Sequence, residues 1–238
     1  KGLGREAAIW FAKKKQSLIL VGRNEKELKK LIRSLPNTKH HTYICVDLKN
    51  PSEISKINFK DKMFKNLKTV IHCAGGGLGL KDPYISYQKY LDLINLNFLS
   101  AVELNNNLIS VLEKKRGKII HIGSIASYEA VGSVGYNCAK SLISAYVKSL
   151  GRELIKKKIT LTGILPGGFI GYKNAMWRLK KKNISAYKSF IKNRLPAGKM
   201  FHAKDLMSII DTICLSDVRM LAGNTISMDA GEGKAYYY

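Results

Sequence analysis

An α/β fold built on a parallel, doubly wound sheet is the architecture this sequence predicts, on three observations. Short apolar runs alternate with segments of helical period, and the alternation continues through all 238 residues without a break in composition. Glycine, proline or polar residues close nearly every apolar run. Such a succession implies right-handed crossovers with helices on both faces. A chain of this length supports one sizeable core, so a single domain over residues 1–238 is expected.

The first residues, Lys1-Gly2-Leu3-Gly4-Arg5, run into the helical pattern Ala7, Ala8, Trp10 and Phe11. Alternating glycines at a helix start let backbone amides approach a pyrophosphate, which makes Lys1, Gly2, Leu3 and Gly4 candidates for a dinucleotide-binding turn. A strand and a further glycine should come before them, in the middle of the sheet. Roughly a dozen or more residues are therefore expected ahead of Lys1. The run Leu18-Ile19-Leu20-Val21 is a buried strand that ends at Gly22-Arg23, with a helix over residues 24–34. An acidic residue at this strand end would bind a free ribose diol, whereas the Arg23 guanidinium suits a 2′-phosphate. A strand over residues 41–46 ends at Asp47-Leu48, and Pro51-Ser52-Glu53 opens a short helix.

Thr69-Val70-Ile71-His72-Cys73 forms the next strand and stops at Ala74-Gly75-Gly76-Gly77. Residues 87–113 have helical character and contain Asn95 and Asn97. Gly117 restarts the chain, and the strand Ile119-Ile120-His121-Ile122 delivers Ser124. The helix after it carries the buried stripe Ala139, Leu142, Ile143, Tyr146, Val147, Leu150 and Leu154. A strand over residues 159–165 ends at Pro166-Gly167-Gly168. Residues 169–200 are rich in lysine, glycine and aromatic residues, with a helical piece around residues 175–190, and form a candidate lid. A helix over residues 203–215 leads to a last strand, residues 225–228, and the tail Asp229-Ala230-Gly231.

The chemistry is expected at Ser124, Tyr136 and Lys140. Of the twelve tyrosines, only Tyr136 has a lysine four residues later. That spacing puts both on one helix face, where an ammonium stabilises a phenolate that otherwise holds its proton until about pH 10. A core tyrosine beside a solvated surface lysine would show the same spacing. What favours chemistry is convergence: Gly2, Arg23, Asp47, Gly75, Ser124 and Pro166 all fall just past the carboxyl end of a strand, the edge where open α/β sheets bind ligands.

The formal net charge is +24, from 41 Lys and Arg against 17 Asp and Glu. Lys13 to Lys15, Lys29, Lys30 and Arg33, Lys114 to Arg116, and Lys156 to Lys158 fall at expected helix C-termini, where cations complement the helix dipole. With no aromatic-interleaved basic stripe, no specific nucleic-acid partner is expected. The four cysteines and five histidines lack metal-ligand spacing, so no metal site is expected. No apolar run is long enough to span a membrane, and a cytoplasmic protein is expected.

In order along the chain, these motifs resemble those of the short-chain dehydrogenase/reductase family over practically the whole length. Gly2 and Gly4 stand as the later glycines of Thr-Gly-x-x-x-Gly-x-Gly, Ala74-Gly75 as the end of Asn-Asn-Ala-Gly, and Asn97 as the start of Asn-Phe-Leu-Ser. Ser124, Tyr136 and Lys140 complete the catalytic set, and Pro166-Gly167 and Asp229-Ala230-Gly231 match the late motifs. The resemblance implies hydride transfer between a nicotinamide and a ketone or secondary alcohol. Tyr136 would pass the proton, Lys140 would lower its pKa and hold the nicotinamide ribose, Ser124 would bind the substrate oxygen, and Asn97 would position a relay water. Lys1, Gly2, Leu3, Gly4, Arg23, Asp47, Leu48, Ala74, Gly75, Pro166, Gly167 and Ile170 would join Tyr136 and Lys140 in holding the cofactor, expected as NADP(H) from the cations Arg23 and Lys1.

Three departures accompany the match. His72-Cys73 replaces two asparagines, Gly171 replaces a threonine that commonly holds the carboxamide, and Ser127 is a second candidate for the serine role. Two other readings are carried: a nucleotide-sugar dehydratase or epimerase, whose anionic substrate would meet Lys173, Arg178 and Lys180 to Lys182, and a cofactor-sensing binding protein without turnover. A homotetramer or homodimer is expected, with Leu99, Val102, Leu108 and Leu112 supplying an interface.

Overall fold

A computed structural model describes residues 1–236. The chain divides into two compact units. The first comprises Lys1–Asp47, Gly168–Ile209 and Ala230–Glu232. The second comprises Leu48–Gly167, Ile210–Asp229 and the chain from Gly233.

In the first unit, α1 (Gly2–Lys13), β1 (Leu18–Gly22), α2 (Glu25–Arg33) and β2 (His41–Cys45) follow in order. β1 and β2 pair in parallel, Leu18 opposite His41 and Gly22 opposite Cys45. Asn24 caps α2 by accepting the Glu27 amide, as its place before the apolar stripe requires. Ala8, Ala12 and Leu35 bury a small core there, flanked by Leu18, Leu20 and Leu31.

Residues 169–200 are a folded subdomain with its own core. β6 (Phe169–Ile170) pairs in parallel with β7 (Phe201–His202), and between them lie α7 (Ala175–Lys182) and α8 (Ile184–Arg194). One helical piece was expected over residues 175–190, but Asn183 breaks it. Its backbone takes an extended conformation and its side chain accepts the Ala186 amide, so it ends one helix and caps the next. Ile170, Tyr187, Leu195 and Met200 form the core. Arg194 pairs with the buried Glu232, which also accepts the Gly168 amide.

The second unit holds α3 (Pro51–Ile54), β3 (Thr69–His72), α4 (Tyr87–Ile94), α5 (Ser100–Lys115), β4 (Lys118–Ile122), α6 (Val134–Leu154), β5 (Thr160–Pro166), α9 (Met207–Leu215, from Ile210 onward) and β8 (Thr225–Met228). Its sheet runs β3-β4-β5-β8, all parallel. Every residue of β5 is buried, Thr160 and Thr162 included, as in a parallel strand covered on both faces. Leu108 and Leu112 lie in this unit's own core, at 5% and 0% exposure, and are therefore unavailable for the expected subunit interface; Leu99 stays exposed.

Under the sheet lies a polar network that the apolar pattern concealed. His72 Nε2 donates to Asn105 Oδ1 at 2.7 Å, and Asn105 Nδ2 faces His121 Nε2 at 3.2 Å and the Tyr146 hydroxyl at 3.3 Å. The two imidazoles stack with centroids 4.5 Å apart. Burial pushes His72 down to about 4 and His121 well below the usual imidazole range. Asn105 thus supplies a partner for His72, where the family pattern has an asparagine.

This network makes a prediction about acid. The unfolded chain protonates His72 near pH 6.5 and the folded chain only near 4, so stability is lost as pH falls through that window. The loss is at most about 3 kcal/mol, and less because the His72 ring is partly exposed. Urea denaturation of His72→Gln between those pH values should show a flatter dependence than the parent. An unchanged slope would exclude His72 as its source.

Candidate active site

β4 ends at Ile122, and the chain turns through Gly123 into a short 3-10 turn capped by Ser124, whose Oγ accepts the Ala126 amide at 3.1 Å. Ser127 is already engaged, donating to the Ser124 carbonyl at 2.8 Å. Ser124 lies close enough to the Tyr136 hydroxyl to act on its pKa, which favours it over Ser127 for contact with a substrate oxygen. Tyr136 lies in the first turn of α6 and Lys140 one turn later. The Lys140 side chain is buried, its Nζ donating to the Ile122 carbonyl at 3.1 Å and lying 5.7 Å from the centroid of the Tyr136 ring.

Burial acts on both groups in the direction that disfavours charge. It pushes Lys140 down to about 8 and raises Tyr136, with the Ser124 hydrogen bond pulling the phenol part of the way back. Tyr136 therefore stands above the usual phenol value, not below it: desolvation outweighs the contribution of Ser124, and the Lys140 amine is directed at a carbonyl.

Asn97 is placed by an irregularity no period reveals. Residues Asn95–Leu99 form a π turn between α4 and α5, a form that recurs at functional sites. The buried Asn97 amide accepts from the Gly76 N–H at 2.9 Å and donates to the Gly76 carbonyl at 3.0 Å and the Leu93 carbonyl at 2.9 Å. Its side chain is thus a clamp on the turn after β3. Gly75 is where that turn passes the site: with φ +154°, an added Cβ would lie 2.7 Å from Asn97 Oδ1 and 3.1 Å from Lys140 Nζ. The second unit therefore brings Ala74, Gly75, Asn97, Ser124, Tyr136 and Lys140 into one stretch of structure. It also contains Leu48, Pro166 and Gly167, with the Gly167 amide bonded to the Met228 carbonyl.

Lys1, Gly2, Leu3, Gly4, Arg23, Asp47 and Ile170 belong to the first unit. Arg23 Nη1 lies 3.7 Å from Asp47 Oδ2, a long pair with the arginine side chain 61% exposed. Glu27 pairs with Lys173 at 2.9 Å and also feels Lys1. The Leu3 and Ile170 side chains are turned into apolar cores, which leaves only their backbones for a ligand. A side chain on Gly171 would place its Cβ 3.1 Å from Ala203 Cβ and 3.3 Å from Gly2 Cα, which accounts for glycine where threonine was expected. Cations of residues 169–200 are occupied internally. Arg178 donates to the Lys173 carbonyl, Lys180 lies over Tyr187 and Lys181 over Trp177.

Two observations fit a nicotinamide dinucleotide. The Gly75–Gly77 turn leaves open space at Gly76, where nothing lies within 4 Å of an added Cβ, and Arg23 presents an exposed guanidinium past β1. Among the described residues no cluster of His, Cys, Asp or Glu could hold a metal ion.

Residues 1–181 match the short chain dehydrogenase family, and the chain belongs to it as an oxidoreductase. Among curated relatives, the 3-oxoacyl-[acyl-carrier-protein] reductase FabG of Buchnera aphidicola subsp. Baizongia pistaciae is 29% identical over 79% of this chain and 76% of its own. The FabG of Buchnera aphidicola subsp. Schizaphis graminum is 25% identical over 97% of this chain and 93% of its own. The L-sorbose reductase of Gluconobacter frateurii, solved with NADPH and L-sorbose, shares the fold with a TM-score of 0.86 at 22% identity, over 99% of this chain and 94% of that one.

The geometry makes a prediction about Gly75. Gly75→Ala should lower the unfolding free energy by about 1–3 kcal/mol, since it combines an unfavourable φ with a clash against Asn97. Equilibrium denaturation measures the change. A neutral result would mean that the turn has room the structure does not show.

Proposed function

We propose that the protein is an NADP-dependent reductase of a ketone, reversible to a secondary alcohol. The observation that carries this reading is Tyr136 with the buried Lys140 one helical turn on, beside Ser124 at the end of β4. A nicotinamide dinucleotide, when bound, supplies the hydride. Tyr136 Oη holds the proton destined for the substrate oxygen, and Ser124 Oγ hydrogen-bonds the same oxygen and orients it. Lys140, mostly protonated at neutral pH with a pKa of about 8, places a positive charge where the phenolate forms. Asn97 fixes the turn at Gly76 against which the nicotinamide end would lie.

The names of the FabG relatives make 3-oxoacyl thioesters the first substrate class to assay. We further propose a homo-oligomeric, cytoplasmic enzyme; a reducing compartment would keep Cys45, Cys73, Cys138 and Cys214 as the free thiols they are here.

Tyr136→Phe should nearly abolish turnover while leaving cofactor affinity within a few-fold, because it removes the proton and keeps the ring. Lys140→Ala should impair both. Undiminished turnover in the phenylalanine variant would end the mechanism.

The choice of NADP rests on Arg23 and Lys1, with no carboxylate at Gly22 or Arg23 to repel a 2′-phosphate. A charge-assisted contact contributes about 1.5–3 kcal/mol, so two would favour NADPH over NADH on the order of a hundredfold. Asp47 at 3.7 Å is a weak competitor for Arg23, since a pair this exposed is worth at most about 1 kcal/mol. Dissociation constants for both cofactors, in the parent and in Arg23→Ala, test this. Arg23→Ala should weaken NADPH and spare NADH; equal affinities in the parent would overturn the assignment.

A further inference from the structure

The loop between Ser124 and Tyr136 is fastened at its middle by a contact that spans more than a hundred residues of sequence. Glu129 Oε1 accepts two successive backbone amides of the C-terminal tail, those of Lys234 and, at 2.6 Å, Ala235. Gly233 closes the same turn: its amide donates to Asp229 Oδ2 at 3.0 Å, and an added Cβ there would lie 3.2 Å from Glu129 Oε1. Two converging N–H dipoles receive the carboxylate, so the tail backbone holds it and no cation need be recruited. Tyr128, the preceding residue, meets Ser227 at the end of β8 at 3.1 Å.

From Glu129 the fastening continues to the catalytic helix. The Glu129 carbonyl accepts Asn137 Nδ2 at 3.1 Å, and Asn137 Oδ1 accepts the Gly132 amide at 3.0 Å. Asn137 follows Tyr136 directly, and Gly132 lies against the tyrosine ring, where an added Cβ would come within 2.7 Å of Cδ1. The ends of the loop have their own anchors: the Ser124 cap at one end and α6 at the other. Glu129 and Tyr128 tie residues 128–132 to the C-terminal tail and to β8, in addition to the bonds this segment makes to Ile125 and Asn137.

We infer that Glu129 is a positioning residue, whose carboxylate clips the C-terminal tail to the 128–132 loop and so fixes the substrate-side wall of the active site. The inference rests on the reading of Ser124, Tyr136 and Lys140 given above, since that reading makes this loop the one bordering the substrate. Releasing the clip loosens the tail side of the loop while its bonds to Ile125 and Asn137 stay in place. Substrate binding should therefore suffer more than the chemical step.

The test uses full-length variants and the ketone substrate on which the parent turns over. Glu129→Ala should raise KM about tenfold with kcat held within about threefold and cofactor affinity unchanged. Glu129→Gln, which keeps an acceptor oxygen for the tail amides, should restore most of the parental KM. Ala235→Pro removes one donor from the tail without touching the loop and should raise KM in the same sense, and the double variant Glu129→Ala with Ala235→Pro should be no worse than Glu129→Ala alone. An unchanged KM in Glu129→Ala, a Gln variant as impaired as the Ala variant, or additive losses in the double variant would overturn the inference. Failure of the catalytic reading shows separately, as activity retained in Tyr136→Phe.

Discussion

Burial of the Lys140 amine is the constraint around which the catalytic unit is arranged. Removing an ammonium from water is costly, and a pKa of about 8 records that cost. The surroundings keep it tolerable by remaining neutral. His72 and His121 are held below the range in which they would charge at neutral pH, and Lys140 itself contributes to holding His121 down. Cys73, pushed up to about 12, stays a thiol. One carbonyl, that of Ile122, accepts a hydrogen bond from the amine, and Gly75 approaches so closely that no side chain would fit. An isolated cation beside a phenol is an arrangement in which charge is strengthened by low dielectric, which is what proton transfer from Tyr136 requires.

The second constraint is geometric, and Asn97 carries it. A regular helix through residues 87–115 would not turn α4 and α5 as the π turn does, and the amide of Asn97 ends up facing the backbone of Gly76 with both its donor and its acceptor satisfied. Helix α4 also approaches the catalytic helix through Gly135, where an added Cβ would come within 2.7 Å of Leu93 and 2.8 Å of Ile85. The turn after β3, the irregular helix and the start of α6 thus fix one another through contacts of short or buried side chains with backbone. Such contacts hold their distances better than long side chains do, because they lose little conformational entropy.

What the sequence made legible follows from which interactions are local. Asn24 and Pro51 marked helix starts correctly because a cap acts within four residues. The buried strands β4 and β5 were visible in the sequence, and the Tyr136 to Lys140 spacing placed both on one face. The break at Asn183 was missed because asparagine is also tolerated inside helices and only its backbone geometry distinguishes the two cases. Leu108 and Leu112 were assigned to an interface because periodicity reports an apolar face without saying what covers it. The His72–Asn105–His121–Tyr146 network, the room denied at Gly171 and the grip of Glu129 on the tail join residues distant in sequence, and no local pattern encodes them.

The large positive charge looks different once individual lysines are located. Lys13, Lys30, Arg33, Lys114, Lys115 and Lys180 to Lys182 do fall in the last turns of their helices, where the dipole favours them. Lys118 goes further: from β4 its amine donates to the Cys214 carbonyl at 2.9 Å and to that of Ser216, so a cation from a strand caps the end of α9. Partial burial lowers its pKa, a cost met by satisfying carbonyls that the helix leaves unpaired. Lys173 is held by Glu27, and Lys180 and Lys181 lie over the aromatic rings of Tyr187 and Trp177. A cation engaged in this way must give up its partner before it can meet a polyanion, so net charge overstates the attraction such a surface exerts. The excess of lysine reads as a means of finishing helices and covering aromatic surface in a chain with few carboxylates.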